Sequence, residues 1–405
     1  MENIAVYTLT SALHDAAALE VSTKEFLKEA FPEGGFEMCG ADFSDFGEHI
    51  LDLIYVRTGG TEGIFVKLLP DLLKKGVSHF YLLTSGKSNS LAASMEILSY
   101  LTQNGLTGEI LHGSGLAERI NALEAAYRAR VTLKGKRLGV LGKPSDWLIA
   151  SGAAPSAIRE KLGMELVDVP MDEVRAAIDA AENADSAEQT FDYVRARSKQ
   201  VREAVPGAVK IYWGLHNLAL ARKLDGLTLR CFDLLTSVGN TGCLALARLN
   251  AQGIPAACEG DVPALLSMMI SNEITMSTGF MANPSRMDPA TGKIVFAHCT
   301  VSLDCVDSFK LDTHFESGIG VGIKGHIPHW PVTIFKVAGD LSSVFIAEGK
   351  ILRNLDEPNL CRTQIEVQLD DPSLIRDYFL TNPIGNHHII VPGRWSAAFK
   401  AFFEG

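Results

Sequence analysis

No apolar run in the chain reaches the ~20 residues a membrane-spanning helix needs, so a role within the bilayer is not expected. The opening residues, MENIAVYTLTSALHD, lack the basic start and apolar block of a secretory leader, and a cytoplasmic location is expected. Positive charge is in short supply: 37 Lys and Arg stand against 48 Asp and Glu, for a formal charge of -11. Nucleic-acid backbones are held by basic stripes, none is visible, and nucleic acid is excluded as a partner. Cysteines are few and odd in number, seven in all, and no pair has thiolate zinc-site spacing. Reduced, buried thiols are the expectation, with Cys231, Cys258 and Cys299 shaping a pocket as small apolar groups. Phosphate-binding motifs are missing too. Gly86-Lys87-Ser88 has Tyr81 where a phosphate loop needs glycine, and Gly320-Val321-Gly322-Ile323-Lys324-Gly325 is followed by no helix.

What the chain does have is apolar residues in ordered patterns. A hydrophobic fraction of 47% with 21% charged residues suits a large buried core, and 405 residues suggest two or three domains. Up to about residue 130, strand-like runs (IAVYTLT, DLIYVRT, HFYLLTS) alternate with helix-like ones (VSTKEFLKEAFP, GIFVKLLPDLLKKG, SLAASMEILSYLTQNG). That alternation predicts a parallel sheet with helices on both faces. A second α/β unit starts at GKRLGVLG, and the charge-rich run from Asp172 to Glu203 reads as a pair of solvated helices. From about Thr275 the texture changes to short strands divided by Gly, Pro, Asp and Asn, the mark of an antiparallel barrel or sandwich. The predicted fold is therefore two Rossmann-like, doubly wound α/β domains (1–132 and 133–273) followed by a mainly antiparallel, barrel-like β domain (274–405).

Chemistry concentrates between Arg230 and Ile270. Asp233 and Glu259 each end a hydrophobic segment, and crevices in α/β sheets open at the carboxyl ends of strands. A single acid in such a place is more often a helix cap. Two of them, with His298 and the His387-His388 pair in the following domain, point to a mixed oxygen and nitrogen metal site. Manganese is the first expectation, with cobalt, iron(II) or magnesium as alternatives. Polar loops after the first domain's strands carry Asp15, Arg57, Lys87 and Asn89. They are read as ordinary turns or as contacts that converge on one ligand.

Phe232-Asp233-Leu234 and Cys258-Glu259-Gly260-Asp261, joined by the Ala/Leu-rich stretch Leu244–Leu249, resemble the metal-acid segments of the L-fucose/L-arabinose isomerase superfamily. Ala297-His298-Cys299 and His387-His388 are similar to that superfamily's two histidine positions, and the likeness runs through all three domains in order. It implies that Asp233, Glu259, His298 and His388 hold the metal, with His387 beside the substrate. The fucose isomerase pattern adds Asp261 as an alternative acid. Arabinose isomerases have Glu where this chain has Asp233, so the carboxylate reaches about one methylene less far. The chain is also shorter than either type and lacks their N-terminal substrate-contact sequences. The activity implied is aldose–ketose isomerisation of a sugar through a cis-enediol, with Asp233 and Glu259 as the proton-transfer pair. The assembly implied is a homotrimer or homohexamer with shared active sites. Arg57, Glu62, Lys87 and Asn89 would then work in a neighbour's pocket. Glu316 and Arg362 read first as barrel ion-pair residues. A metal-dependent epimerase and a non-catalytic sugar-binding protein are the alternative functions.

Overall fold

A computed structural model describes residues 3–181 and 193–404. The chain forms two compact units, one made of Met1–Val131 with Ala397–Gly405 and the other of Thr132–Ser396. The middle of the charged run from Asp172 to Glu203 lies outside the described residues, while its two ends are helical.

In the first unit, β1 (Ile4–Leu9), β2 (Phe36–Gly40), β3 (Leu51–Val56), β4 (His79–Leu83) and β5 (Thr107–Leu111) form a wholly parallel sheet in the order β2-β1-β3-β4-β5. This is the doubly wound order in which connections pass to both faces. The inner strands are mostly apolar because both faces are covered; β1 is buried along its whole length. The connecting helices are α1 (Ala16–Ala30), α2 (Glu62–Lys74), α3 (Ser90–Gln103) and α4 (Leu116–Leu133).

The second unit opens with another parallel sheet, β7-β6-β8-β9, built from β6 (Arg137–Leu141), β7 (Glu165–Val169), β8 (Gly226–Leu229) and β9 (Ala256–Cys258). Around it lie α5 (Pro155–Leu162), α6 (Met171–Ala180), α7 (Lys199–Arg222), the short α8 (Asp233–Ser237), α9 (Cys243–Ala251) and α10 (Val262–Thr275). The strand order reverses at β6 and β8, which places a crevice beyond their carboxyl ends. In the same unit, β10 (Phe280–Asp288), β11 (Lys293–His298), β14 (Pro331–Val337), β15 (Val344–Asn354), β16 (Thr363–Leu369) and β17 (His388–Pro392) close into a six-stranded antiparallel barrel. A separate hairpin is made by β12 (Ser308–Asp312) and β13 (Gly322–His326); the C-terminal helix, α11 (Ser396–Glu404), belongs from Ala397 onward to the first unit. The Gly-rich run at 320–325 thus enters a strand. Parallel α/β sheets followed by an antiparallel barrel is the predicted layout. Among the described residues no helix is long and apolar enough to cross a membrane.

Barrel and parallel sheet are joined by shared apolar packing: Leu244 and Ala247 of α9 and Val205 and Val209 of α7 are buried with Phe296, Val321 and Ile365. The turn that leaves β9 packs closely against the loop that follows β6. Gly260 has φ +71°, and a Cβ there would sit 2.5 Å from the Lys143 carbonyl oxygen. Gly260→Ala is therefore expected to lower unfolding free energy by at least about 1–3 kcal/mol, seen as an earlier denaturant midpoint.

Candidate metal centre

Three side chains from three elements converge beyond the carboxyl end of β9. Glu259 follows that strand directly, His298 is the last residue of β11, and His387 immediately precedes β17. Their potential ligand atoms all lie within 4.8 Å of one another, and all three residues are buried.

Glu259 occupies left-handed backbone, φ +63°, a conformation that non-glycine residues hold only where surroundings enforce it. Here the Ser145 amide donates to the Glu259 carbonyl at 2.9 Å, and the Trp147 indole N–H donates to carboxylate Oε2 at 2.6 Å. The other oxygen, Oε1, faces His387 Nε2 at 3.5 Å and His298 Nε2 at 3.9 Å.

The orientation of His387 comes from the other side. Its Nδ1 lies 2.8 Å from Asp261 Oδ2, while Asp261 Oδ1 caps α10 by accepting the Ala264 amide at 2.8 Å. An ionised carboxylate can only accept, so Nδ1 carries the proton and Nε2 is turned toward Glu259. That Nε2 is buried and has no hydrogen-bond partner. A carboxylate behind an imidazole whose far nitrogen looks into a polar pocket is the supporting arrangement of metal-bound histidines. Together with two further donors, it makes the group fit a divalent cation. Two imidazoles and one carboxylate leave coordination positions open for other oxygens.

Without a cation, the same contacts set the charges of the group. Burial alone would push the Glu259 carboxyl up, but His387, His298 and the Trp147 N–H outweigh it and hold the group at about 2. Burial likewise works against ionised Asp261, yet buried Lys336 and then His387 bring it down to about 2. Burial would strip the His387 proton; Asp261 and Glu259 on its two sides raise it to about 9 instead. His298 goes the other way, lowered to about 3 by burial and then by the charge of His387, so it is a neutral imidazole near pH 7.

A cavity of about 330 Å³ opens on this group, lined by Trp147, Phe232, Glu259, Asn283, His298 and His314, among others. Trp147 follows β6, Phe232 follows β8 and Glu259 follows β9, so three strand ends of one sheet supply the wall. Four thiols, Cys243, Cys258, Cys299 and Cys361, complete it. Cys231 lies behind, its sulfur 3.0 Å from that of Cys258. All seven cysteines are free.

Of the acids and histidines singled out in the sequence, the structure brings together Glu259, His298 and His387, with Asp261 behind His387. It does not bring His388 or Asp233 into the group of three. His388 opens β17, and neighbouring strand residues point to opposite faces, so it turns away from His387. Its Nε2 lies 2.9 Å from the Tyr378 hydroxyl, its Nδ1 2.9 Å from the Asn386 carbonyl, and its ring packs against Phe345 and Phe379. Asp233 starts α8 and accepts from Arg230 Nε at 3.0 Å; the same guanidinium also binds the Pro144 carbonyl and Asp146. Arg362 binds Thr313 through its carbonyl and hydroxyl rather than a barrel acid, and Glu316 lines the cavity. Asp15, Arg57, Lys87 and Asn89 belong to the first unit, in loops after β1, β3 and β4. There Arg57 lies 3.9 Å from Glu20, Lys87 lines a small cavity with Ser85 and His112, and Asn89 precedes α3 in left-handed backbone. Trp147 and His314 line the cavity without belonging to any spaced motif; a lone Trp in a Pro/Ser loop directly after a strand is the signal that marks the former.

No family model matches the chain. A 170-residue stretch is 32% identical to a sulfoquinovose isomerase of Clostridium sp. (strain MSTE9), covering 40% of this chain and 37% of that protein. A 224-residue stretch is 22% identical to a sulfoquinovose isomerase of Alkalicoccus urumqiensis, covering 52% of this chain and 49% of that protein. The chain thus matches about half or less of each relative's length.

Two expectations follow from the geometry. His387→Ala should lose bound divalent cation on purification while His388→Phe retains it, read by elemental analysis of the folded proteins. In chelator-treated protein, His387 is raised from 6.5 to about 9, so its pairing stabilises the fold fully below pH 6.5 and is lost as pH rises through about 9. The thermal midpoint of that metal-free protein should fall between pH 7 and 10, and His387→Gln should flatten the fall.

Proposed function

We propose that the protein is a metal-dependent aldose–ketose isomerase of the L-fucose/L-arabinose isomerase superfamily acting on a sulfonated, hence anionic, sugar. The observation that carries this reading is the buried Glu259–His298–His387 group at the floor of a sugar-sized cavity, in a chain partly similar to two sulfoquinovose isomerases. Glu259, His298 and His387 would hold the cation, manganese before cobalt, iron(II) or magnesium, and Asp261 would keep His387 in the binding tautomer. A divalent cation there would polarise the sugar carbonyl and acidify the neighbouring hydroxyl.

The residues of the chain do the rest. In the aldose-to-ketose direction, a carboxylate takes the proton from the carbon bearing the hydroxyl beside the carbonyl. The resulting cis-enediol is reprotonated at the former carbonyl carbon, and the hydroxyl proton passes between the two oxygens. Glu259 is the proposed base, ionised well below neutral pH and held by the Trp147 N–H. Asp233, one residue beyond the cavity-lining Phe232, is the proposed partner on the second face. The indole of Trp147 and the ring of Phe232, edge to face at 4.8 Å, give the sugar an apolar wall and exclude water.

We further propose three domains, 1–132, 133–273 and 274–405, and a homotrimer or homohexamer. In that assembly Asp15, Arg57, Lys87 and Asn89 of a neighbouring copy complete the pocket and meet the anionic group. Ile149, 93% exposed two residues from Trp147, is an apolar side chain that such a contact would cover.

The test is incubation of the manganese-loaded protein with sulfoquinovose in deuterated water. Expected are ketose product and solvent deuterium at the carbon beside the carbonyl; binding without exchange would sink the catalytic reading. Glu259→Gln should lower turnover at least about a thousandfold with an unchanged circular dichroism spectrum.

A further inference from the structure

A second group of metal-ligating side chains lies in the first unit and shares no residue with the centre above. The ligand atoms of Cys39, Asp45 and His49 lie within 4.8 Å of one another. Cys39 sits on the edge strand β2, and the register of β2 against β1 slips there: Val6 pairs with Met38 and Tyr7 with Gly40, leaving Cys39 as the extra residue of a bulge. Bulges re-aim a side chain. Asp45 and His49 come from the turn-rich segment between β2 and β3.

The histidine carries the argument. Its side chain is only 5% exposed. The Tyr7 hydroxyl donates to Asp45 Oδ1 at 2.9 Å, and His49 Nδ1 lies 3.1 Å from Asp52 Oδ1, so the imidazole proton sits on Nδ1 and points at Asp52. Asp52 is fixed in turn by the Gly47 amide at 3.0 Å. The lone pair of His49 Nε2 is therefore aimed at acceptors alone, Glu37 Oε2 and Asp45 Oδ2, each 4.0 Å away and too far for a hydrogen bond. Among the described residues, His49 is the only basic group within ion-pair distance of Glu37, Asp45 or Asp52. A ring nitrogen on a 5%-exposed side chain, facing two carboxylates and a sulfur, is an arrangement that a cation resolves.

We propose that Cys39, Asp45 and His49, with Glu37 as fourth ligand, bind a zinc-class divalent cation that clips the edge strand β2 to the segment leading into β3. Sulfur, nitrogen and carboxylate oxygen together suit zinc, and the sulfur disfavours the harder magnesium, calcium and manganese. Asp52 is the positioning residue behind His49, as Asp261 is behind His387.

The probe is Co²⁺ added to the full chain after chelator treatment. Wild type should develop a thiolate-to-cobalt charge-transfer band that Cys39→Ser abolishes, with circular dichroism confirming the variant's fold. Because cavity thiols surround the other centre, a band of equal strength in folded Cys39→Ser overturns the proposal, as does no band in wild type. Asp52→Asn should weaken Zn²⁺ about 10–100-fold by calorimetry. Should Cys39→Ser not fold, half-exposed Glu37 decides: Glu37→Gln is expected to weaken Zn²⁺ at least about tenfold, and unchanged affinity refutes the site.

Discussion

The contact between Asp261 and His387 holds the second unit's chemistry in place. One carboxylate does two things: an oxygen caps α10 and the other fixes an imidazole proton. Both residues are completely buried, so neither group has water as an alternative partner. Burial would normally discharge such a pair. In the absence of a cation it stays ionised because Lys336 on β14 lies within electrostatic reach of Asp261 and Glu259 faces the other nitrogen of the ring. The helix start, the barrel strand and the acid after β9 are thus locked to one another through a single side chain.

The layout of the fold was legible because local pattern and global architecture agree. Apolar runs separated by amphipathic helices can only bury themselves as a parallel sheet, and a succession of short strands without helices cannot. Closure of the barrel was not legible: it depends on β14 pairing with β17 and β11 with β16, and such distant registers leave no local trace. Glu259 stood out as an acid held between a strand and a glycine, and His298 as a polar group ending an apolar strand.

His387 and His388 mark where reading residues ran out. Strand alternation says that adjacent side chains diverge; it does not say which one faces the sheet of the α/β layer. That choice is made by the pairing of Ala282 with His388, which commits His388 to the aromatic interior among Phe296, Phe345 and Phe379. Asp233 shows the opposite difficulty. An acid beyond a strand looks unpartnered, but an Arg three residues earlier stands on the same side and binds one of its two oxygens. Both outcomes turn on partners supplied by tertiary structure, where spacing along the chain is silent.

The bond from His387 to Asp261 joins residues 126 positions apart. Closing so long a loop is slow, and the reward arrives only after the barrel has wrapped and the short strand β9 is seated. The cluster is in that sense a certificate of completion: polypeptide that has collapsed but not docked its two layers possesses every required side chain and no place to gather them.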